Sequence, residues 1–218
     1  SGEVTAIIGS TGSGKSTIAN IIPRFFEIQS GEISINGQDI KKIPQKELRD
    51  KIGFVPQKAF LFSGTIEENI RYGKEDASIE EVKHAASIAQ ADEFISDMED
   101  KYDSFVAQGG NNLSGGQKQR ISIARALVRK PEVYVFDDSF SALDFKTDKR
   151  LRKALKNEIK DSSAIIIAQR ISTIMDANQI IVLNDGKIVG IGKHKDLLEN
   201  CEVYKQIADS QLSKEELA

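Results

Sequence analysis

The run from Gly9 to Thr17 reads GSTGSGKST, and it restricts the possible folds of this chain more than any other segment. From Gly9 through Ser16 it fits the phosphate-loop pattern G-x-x-x-x-G-K-[ST]. A short apolar stretch, residues 4–8, comes directly before it, and a helix-like stretch follows it and stops at Pro23. A strand, a glycine-rich loop and a helix in this order predict a site for a nucleoside triphosphate. A plain Gly/Ser-rich turn, the alternative interpretation, would not require this context.

Each part of the loop has a physical role in holding phosphates. Glycines allow the backbone to curl so that successive N–H groups point at one anion. The helix expected from about Lys15 adds the positive end of its dipole, and the Lys15 ammonium supplies a charge for the β- and γ-phosphates. The Ser16 hydroxyl can ligate Mg²⁺. The expected cofactor-binding residues of this loop are Gly9, Ser10, Thr11, Gly12, Ser13, Gly14, Lys15, Ser16 and Thr17.

Apolar runs alternate with helical patterns along the rest of the chain, which is typical of a mostly parallel sheet covered by helices. Strands are expected at residues 4–8, 32–35, 52–55, 133–136, 164–168, 179–183 and 187–191. Between the third and fourth of these strands the pattern is helical, with amphipathic helices expected at 78–90 and 114–129. We therefore expect an α/β phosphate-loop core, formed by residues 1–66 and 131–218, with an all-helical subdomain inserted at 67–130.

Composition and charge exclude several classes of protein. The formal net charge of −3 gives no sign of a nucleic-acid surface. The single cysteine, Cys201, excludes an internal disulfide. No apolar run approaches the ~20 residues needed to span a bilayer. Because the chain lacks an initial Met and opens almost directly on a core strand, we expect it to be a piece of a longer protein.

Two carboxylates, Asp137 and Asp138, follow the apolar strand expected at 133–136. In phosphate-loop enzymes an acid at the end of such a strand holds Mg²⁺, directly or through water. A strand-ending Asp can also simply cap the next element, but its combination with a phosphate loop favours Asp137 as a metal residue. Asp138 comes next, where a general base would face an attacking water.

The segment from Leu113 to Gln117 reads LSGGQ and comes directly before a predicted helix. Ser114 and Gln117 fit the S-x-x-Q pattern of a capping box, which would satisfy the first N–H groups of that helix. Capping does not explain Gly115 and Gly116, because two glycines in the first turn cost helix stability. They are better explained if a phosphate approaches the bare backbone at the helix start. We therefore expect Ser114, Gly115, Gly116 and Gln117 to bind the cofactor.

These motifs together resemble the nucleotide-binding domain of ATP-binding cassette (ABC) transporters. The resemblance rests on GSTGSGKST, LSGGQ and VYVFDD, and it extends through essentially the whole chain. It implies an ATPase that binds ATP and Mg²⁺. It also implies that two such domains stack head to tail, so that each ATP lies between the phosphate loop of one and the LSGGQ of the other. The implied partners are a second nucleotide-binding domain and the transmembrane domains of the same transporter, at the cytoplasmic face of the cell membrane, with no nucleic acid.

Further residues take roles from this resemblance. Gln57, after the strand expected at 52–55, matches the family's Q-loop glutamine, which senses Mg²⁺ and contacts the transmembrane domain. The match implies a catalytic and a metal-binding role for Gln57. Asp144, in SALD, matches the D-loop, which crosses to the partner subunit, although it could also be the N-cap of the helix that follows. Residues 61–70, LFSGTIEENI, resemble the exporter branch, which includes multidrug and lipid exporters. In this family an aromatic residue from an upstream strand stacks on adenine, and we expect that strand to precede Ser1.

Two positions depart from the family pattern, and both are catalytic. The residue after Asp137 is usually Glu and here is Asp138, and the residue before Arg170 is usually the switch His and here is Gln169. Losing one methylene retracts the carboxylate by roughly 1.5 Å, and a misplacement of that order can cost about a hundredfold in rate. Gln169 can hydrogen-bond a γ-phosphate but cannot carry a proton as imidazole does. The pair resembles the degenerate half of a heterodimeric multidrug exporter, which implies low turnover by this chain alone and a non-identical partner.

Three other functions stay open at this point. A soluble ABC ATPase of translation or DNA repair would act without a membrane domain, and residues 61–70 count against it. A purely regulatory ATP-binding half would suit Asp138 and Gln169 but would not need an intact LSGGQ. A small-molecule kinase would leave LSGGQ unexplained.

Overall fold

The computed structural model of the chain describes residues 2–212, and its centre is a six-stranded sheet. The described strands are β1 (Val4–Gly9), β2 (Ser34–Ile35), β3 (Gln38–Asp39), β4 (Ile52–Val55), β5 (Gly64–Thr65), β6 (Phe105–Val106), β7 (Val133–Asp137), β8 (Ser163–Ile167), β9 (Gln179–Asn184) and β10 (Lys187–Gly192). The described helices are α1 (Lys15–Ile21), α2 (Gln45–Asp50), α3 (Ile66–Arg71), α4 (Ile79–Ile88), α5 (Asp92–Ser96), α6 (Gly115–Leu127), α7 (Phe145–Glu158), α8 (Ile171–Ile174), α9 (His194–Asn200) and α10 (Glu202–Gln211). Short 3₁₀ turns lie at Ile40–Lys42, Lys101–Asp103 and Gln108–Gly110.

The main sheet has the strand order β10–β9–β1–β8–β7–β4. All of its pairs are parallel except the hairpin of β9 and β10. That hairpin closes at Asp185 and Gly186, whose φ values of 46° and 74° suit the tight turns that join twisted strands. The expected α/β architecture with a mostly parallel sheet is therefore confirmed.

Alternation along β1 gives the sheet two buried faces. Ile7 belongs to one buried cluster, together with Ala19 of α1 and Leu48 of α2. Ile8 belongs to the other, larger cluster, which includes Ile123 of α6. Burial on both faces fixes the register of β1, because a slip of one residue would exchange the two sets of side chains.

The structure differs from the sequence expectations mainly at its shortest strands. The strand expected at 32–35 is reduced to β2, which pairs with β3 in a hairpin outside the main sheet. Within residues 67–130 the two expected helices are present as α4 and α6. The same segment also contains the short strand β6, which pairs with β5, so it is not entirely helical. A two-residue strand has no alternation to recognise, since only its distant partner defines it. The division of the chain into a core and a subdomain at 67–130 stays a prediction.

No helix in the part of the chain that the structure describes combines the length and the apolar character needed to cross a membrane.

A buried polar cluster joins α3 to α6. The Asn69 side chain, fully buried on α3, accepts a hydrogen bond from the Phe62 N–H at 2.9 Å and donates to the carbonyls of Phe62 at 2.9 Å and Thr65 at 3.0 Å. The Arg125 guanidinium donates to the Asn69 side-chain oxygen at 2.9 Å, to the Asn69 carbonyl at 2.8 Å and to the Phe60 carbonyl at 3.0 Å. Burial lowers the pKa of Arg125 to about 10, so the guanidinium is still charged at neutral pH. These bonds hold the segment before α3 against α6.

Replacing Asn69 by Ala is expected to lower the free energy of unfolding by about 2–4 kcal/mol, because buried donors and acceptors lose their partners. Asn112→Ala is the matched control, since the exposed Asn112 side chain also bonds two backbone groups, the Ala107 N–H at 2.9 Å and the Phe105 carbonyl at 2.8 Å. Water can replace those bonds, so the control is expected to cost less than about 1 kcal/mol. Urea denaturation of the two variants measures both values, and equal losses would contradict the buried-cluster argument.

Candidate nucleotide site

Four loops meet at one edge of the sheet because the strands that precede them are parallel. The carboxyl ends of β4, β7, β8 and β1 are aligned through the pairs Val55–Phe136, Asp137–Ile167 and Ile7–Ile167. Ligands of α/β proteins bind at this edge. Here it holds a cleft of about 320 Å³, lined by Thr11, Gly12, Gly14, Lys15, Ser16, Thr17, Gln57, Asp138, Ile167 and Gln169.

Glycine shapes the phosphate loop at two positions in particular. Gly14, directly before α1, has a φ of 96°, which L side chains rarely adopt. At Gly9 a Cβ would collide with the carbonyl oxygen of Leu183 on the neighbouring strand β9. The loop can therefore stay close to the sheet and still turn its backbone into the start of α1.

Lys15, the first residue of α1, turns its side chain back over the loop. Its Nζ donates to the carbonyl oxygens of Gly9 at 2.8 Å and Ser10 at 2.7 Å, and lies 3.4 Å from the Ser13 hydroxyl oxygen. Burial lowers the pKa of the ammonium, while the charges of Asp138 and Asp137 act in the opposite direction. The Lys15 ammonium is thus held at the cleft by Gly9, Ser10 and Ser13.

Ser16 and Asp137 form the part of the site that suits a metal ion. The Ser16 hydroxyl donates to Asp137 Oδ1 at 3.1 Å, so two hard oxygen ligands of the kind that Mg²⁺ prefers lie side by side. Among residues 2–212 no group of three or more His, Cys, Asp and Glu side chains could hold a metal ion without other ligands. Mg²⁺ commonly takes one or two protein ligands and completes its shell with phosphate and water oxygens. Burial raises the pKa of Asp137, and a bound cation would oppose that shift.

Asp138 is the centre of a group of hydrogen bonds in the cleft. Its Oδ2 accepts from Gln57 Nε2 at 3.0 Å and from Gln169 Nε2 at 2.8 Å. Its backbone has a φ of 47°, and in that left-handed conformation its N–H donates to the Ile167 carbonyl at 2.9 Å. Burial raises the pKa of Asp138, although the hydrogen bond from Gln57 acts in the opposite direction. The structure therefore brings together the three residues predicted to be catalytic.

The LSGGQ segment lies outside this cleft. The Ser114 hydroxyl accepts from the Gln117 N–H at 3.2 Å, and the Gln117 side-chain oxygen accepts from the Ser114 N–H at 2.9 Å, which forms the capping box at the start of α6. Asp144 caps α7, where its Oδ1 accepts from the Thr147 N–H at 3.0 Å. The expected cofactor-binding residues that do not line the cleft are of two kinds. Gly9, Ser10 and Ser13 contact Lys15 Nζ instead. The others belong to the LSGGQ segment and the D-loop: Ser114, Gly115, Gly116, Gln117 and Asp144.

Sequence reasoning missed two residues that support the site. Gln119, buried on α6, donates from Nε2 to the Pro56 carbonyl at 3.0 Å, beside Gln57. Ser139, also buried, donates from its hydroxyl to the Val55 carbonyl at 2.9 Å, directly after Asp138. Both tie the loop after β4 to a neighbouring element. No local pattern marks them, because each bond joins residues that are far apart in the chain.

A model of the ABC transporter family matches residues 1–141 of the chain. The chain belongs to the ABC transporter family. It is 48% identical over 98% of its length to the uncharacterized ABC transporter ATP-binding protein YfiB of Bacillus subtilis, and 42% identical over 94% to the putative multidrug export ATP-binding/permease protein YgaD of the same organism. It spans 37% of the first protein and 36% of the second.

A solved structure agrees with the sequence relatives. The structure of a bacterial Atm1-family ABC exporter with ATP bound superposes with a TM-score of 0.94 and 41% identity, over 98% of this chain and 38% of that one. As an ABC domain the chain binds ATP with Mg²⁺, and the expectation for its cofactors is confirmed. Membership of this ATPase family also implies ATP hydrolysis.

Replacing Asp138 by Asn is expected to raise the melting temperature of the ABC domain in the absence of nucleotide and Mg²⁺. The substitution removes one of two adjacent buried charges, and the new amide oxygen can still accept from Gln57 and Gln169. We expect about 2–4 °C for each kcal/mol gained. Thermal denaturation followed by circular dichroism measures the shift.

Asp144→Asn is the matched control for this experiment. The Asp144 carboxylate is exposed, and hydrogen bonds at the start of α7, chiefly from Thr147, lower its pKa. Its removal is therefore expected to leave the melting temperature unchanged or to lower it. A rise of the same size in both variants would contradict the assignment of the gain to the buried charge.

Proposed function

We propose that this chain is the ATP-hydrolysing domain of a membrane exporter and works at the cytoplasmic face of the membrane. ATP would close two ABC domains head to tail, and this closure would move transmembrane domains. The exporter assignment is supported by residues 61–70, by the name of YgaD and by the Atm1-family exporter structure. The transmembrane domains, which would lie outside this chain, would select the exported compound.

The exposed start of α6 is the feature that best supports head-to-tail pairing of two ABC domains. Ser114 and Gly115 are exposed, and a Cβ on Gly115 would meet no atom of the described residues within 4 Å. Nothing in this part of the chain requires glycine there, although glycine costs helix stability. A phosphate held by a second ABC domain would require it, because only bare backbone allows such an approach. A Cβ on Gly116 would lie 3.3 Å from the Ala142 carbonyl, so the D-loop that leads to Asp144 borders the same surface.

Within one site, the residues of this chain would act mainly by positioning and by charge. The loop amides and Lys15 would bind and orient the triphosphate, with its γ-phosphate towards Asp138 and Gln169. When bound between Ser16 and Asp137, Mg²⁺ would neutralise charge on the phosphate oxygens. Asp138 would orient the attacking water and accept its proton, and the Gln169 amide would donate to the γ-phosphate.

We infer that this site hydrolyses ATP slowly, as the degenerate half of an asymmetric pair. Asp138 is one methylene shorter than the Glu usual in the family, and its Oδ2 already accepts two amide hydrogens. These two hydrogen bonds occupy acceptor positions of Asp138 Oδ2 that would otherwise face the attacking water. An amide at position 169 cannot exchange a proton with the phosphate. The intact LSGGQ of this chain would complete the faster site of a non-identical partner domain.

The double variant Asp138→Glu, Gln169→His is expected to raise hydrolysis at this site about 10- to 100-fold, because it restores a longer base and a titratable switch residue. Phosphate release from the intact transporter measures the rate. The same double variant with Lys15→Met controls for hydrolysis at the partner site. No gain, or ordinary exporter turnover by the unaltered chain alone, would contradict the degenerate-site proposal.

A second surface would contact the transmembrane domains. Tyr72 and Phe62 are exposed at 55% and 43%, and their ring centroids lie 4.7 Å apart. The Arg125 guanidinium lies over both rings, 5.5 Å from the centroid of Phe62 and 6.0 Å from that of Tyr72. Tyr72 and Arg125 also line a groove of about 200 Å³ together with Phe25 and Phe54. Because Arg125 lies on α6, a force on these rings would reach the LSGGQ segment through one helix.

Tyr72→Ala is expected to reduce, several-fold, the fraction of transporters whose transmembrane domains change conformation when the ATP analogue AMP-PNP binds. The substitution removes an exposed ring from the proposed contact and leaves the nucleotide cleft intact. Distances between spin labels on the transmembrane domains measure this fraction. Ile188→Ala is the control, since Ile188 is 58% exposed on the edge strand β10. Equal effects of the two substitutions would contradict the proposed contact.

A further inference from the structure

The end of α10 is joined to the segment that carries Gln169. Gln211, the last residue of α10, donates from Nε2 to the Gln169 carbonyl at 2.8 Å. Its Oε1 accepts a hydrogen bond from the Ile171 N–H at 2.9 Å. One carboxamide thus satisfies a donor and an acceptor on either side of Arg170.

The local backbone explains why a glutamine suits this position. Arg170 is extended, with φ −104° and ψ 127°. In an extended chain the carbonyl of one residue and the N–H two positions later point to the same side, as they do toward a neighbouring strand. The Gln211 carboxamide offers one donor and one acceptor, so it pairs with Gln169 and Ile171 as a neighbouring peptide group would.

The position of Gln211 is fixed by the core rather than by its own packing. Tyr204 and Ala208 of α10 are fully buried, and α10 packs against α8, β1 and β9. Gln211 and Gln169 are themselves exposed, and Gln211 is connected to the Gln169 segment by the two hydrogen bonds described above. From the backbone held in this way, Gln169 Nε2 reaches Asp138 Oδ2 at 2.8 Å.

We propose that Gln211 is a positioning residue of the ATP site, which holds Gln169 so that its amide faces Asp138 and the γ-phosphate. This inference rests on the proposed role of Gln169 at the γ-phosphate. It follows that a displacement of the carboxyl end of α10 would move Gln169 out of the cleft and change the affinity for ATP. The affinity for nucleotides that lack a γ-phosphate would not change.

The test uses photolabelling of the intact transporter by 8-azido-ATP, because the covalent label identifies the chain that binds the nucleotide. AMP-PNP and ADP are compared as competitors of this labelling. Gln211→Met keeps the size of the side chain and removes both hydrogen bonds. We expect it to weaken competition by AMP-PNP about two- to tenfold and to leave competition by ADP unchanged. The matched control is Gln206→Met on the same helix. Among residues 2–212 the Gln206 amide bonds only to Glu202, within α10, at 3.2 Å, so competition by neither nucleotide should change.

A double variant separates positioning from a general structural effect. If Gln211 acts through Gln169, then Gln169→Met weakens AMP-PNP by itself, and adding Gln211→Met produces no further loss. Equal losses for AMP-PNP and ADP, or additive losses in the double variant, would overturn the inference while the proposed role of Gln169 stands. An unchanged AMP-PNP affinity in Gln169→Met would overturn that role, and this inference with it.

Discussion

Parallel pairing of β4, β7, β8 and β1 is the constraint on which the rest of this structure depends. It places the carboxyl ends of four strands at one edge, so that loops from distant parts of the chain deliver Lys15, Gln57, Asp138 and Gln169 into one cleft. The pairing is itself fixed by burial on both faces of the sheet, since a slip in register would turn apolar side chains to the wrong face. Stability of the core and geometry of the site therefore have the same origin.

The site holds charges that the fold alone does not favour. Burial raises the pKa of both Asp137 and Asp138 and lowers the pKa of Lys15, so each charged form is held at some expense of stability. Buried charges of this kind are common where residues must act on a ligand, and the charges of the bound ligand stabilise them. A triphosphate beside Lys15 and Mg²⁺ beside Asp137 would supply that relief.

One helix connects three functional parts of the ABC domain. At its start α6 presents the capped LSGGQ segment, in its second turn Gln119 bonds to the Pro56 carbonyl beside Gln57, and near its end Arg125 is bound to Asn69 and lies over Phe62. A helix of 13 residues spans about 20 Å and resists bending. A rigid element of this length suits the proposed transmission between a partner domain, the nucleotide and the membrane part.

The sequence by itself determined the phosphate loop, the proximity of Ser16 and Asp137 that the proposed Mg²⁺ site needs, the parallel strands of the core and the helices α4 and α6. These features are local, because strand alternation, helix periodicity, glycine spacing and capping residues all lie within a few positions of each other. Only the tertiary structure decided that β6 pairs with β5, that Gln57 and Gln169 share one oxygen of Asp138, and that Gln211 holds the backbone of Gln169. Such contacts join residues that are far apart in the chain, and their geometry follows from how helices and strands pack rather than from any neighbouring residue.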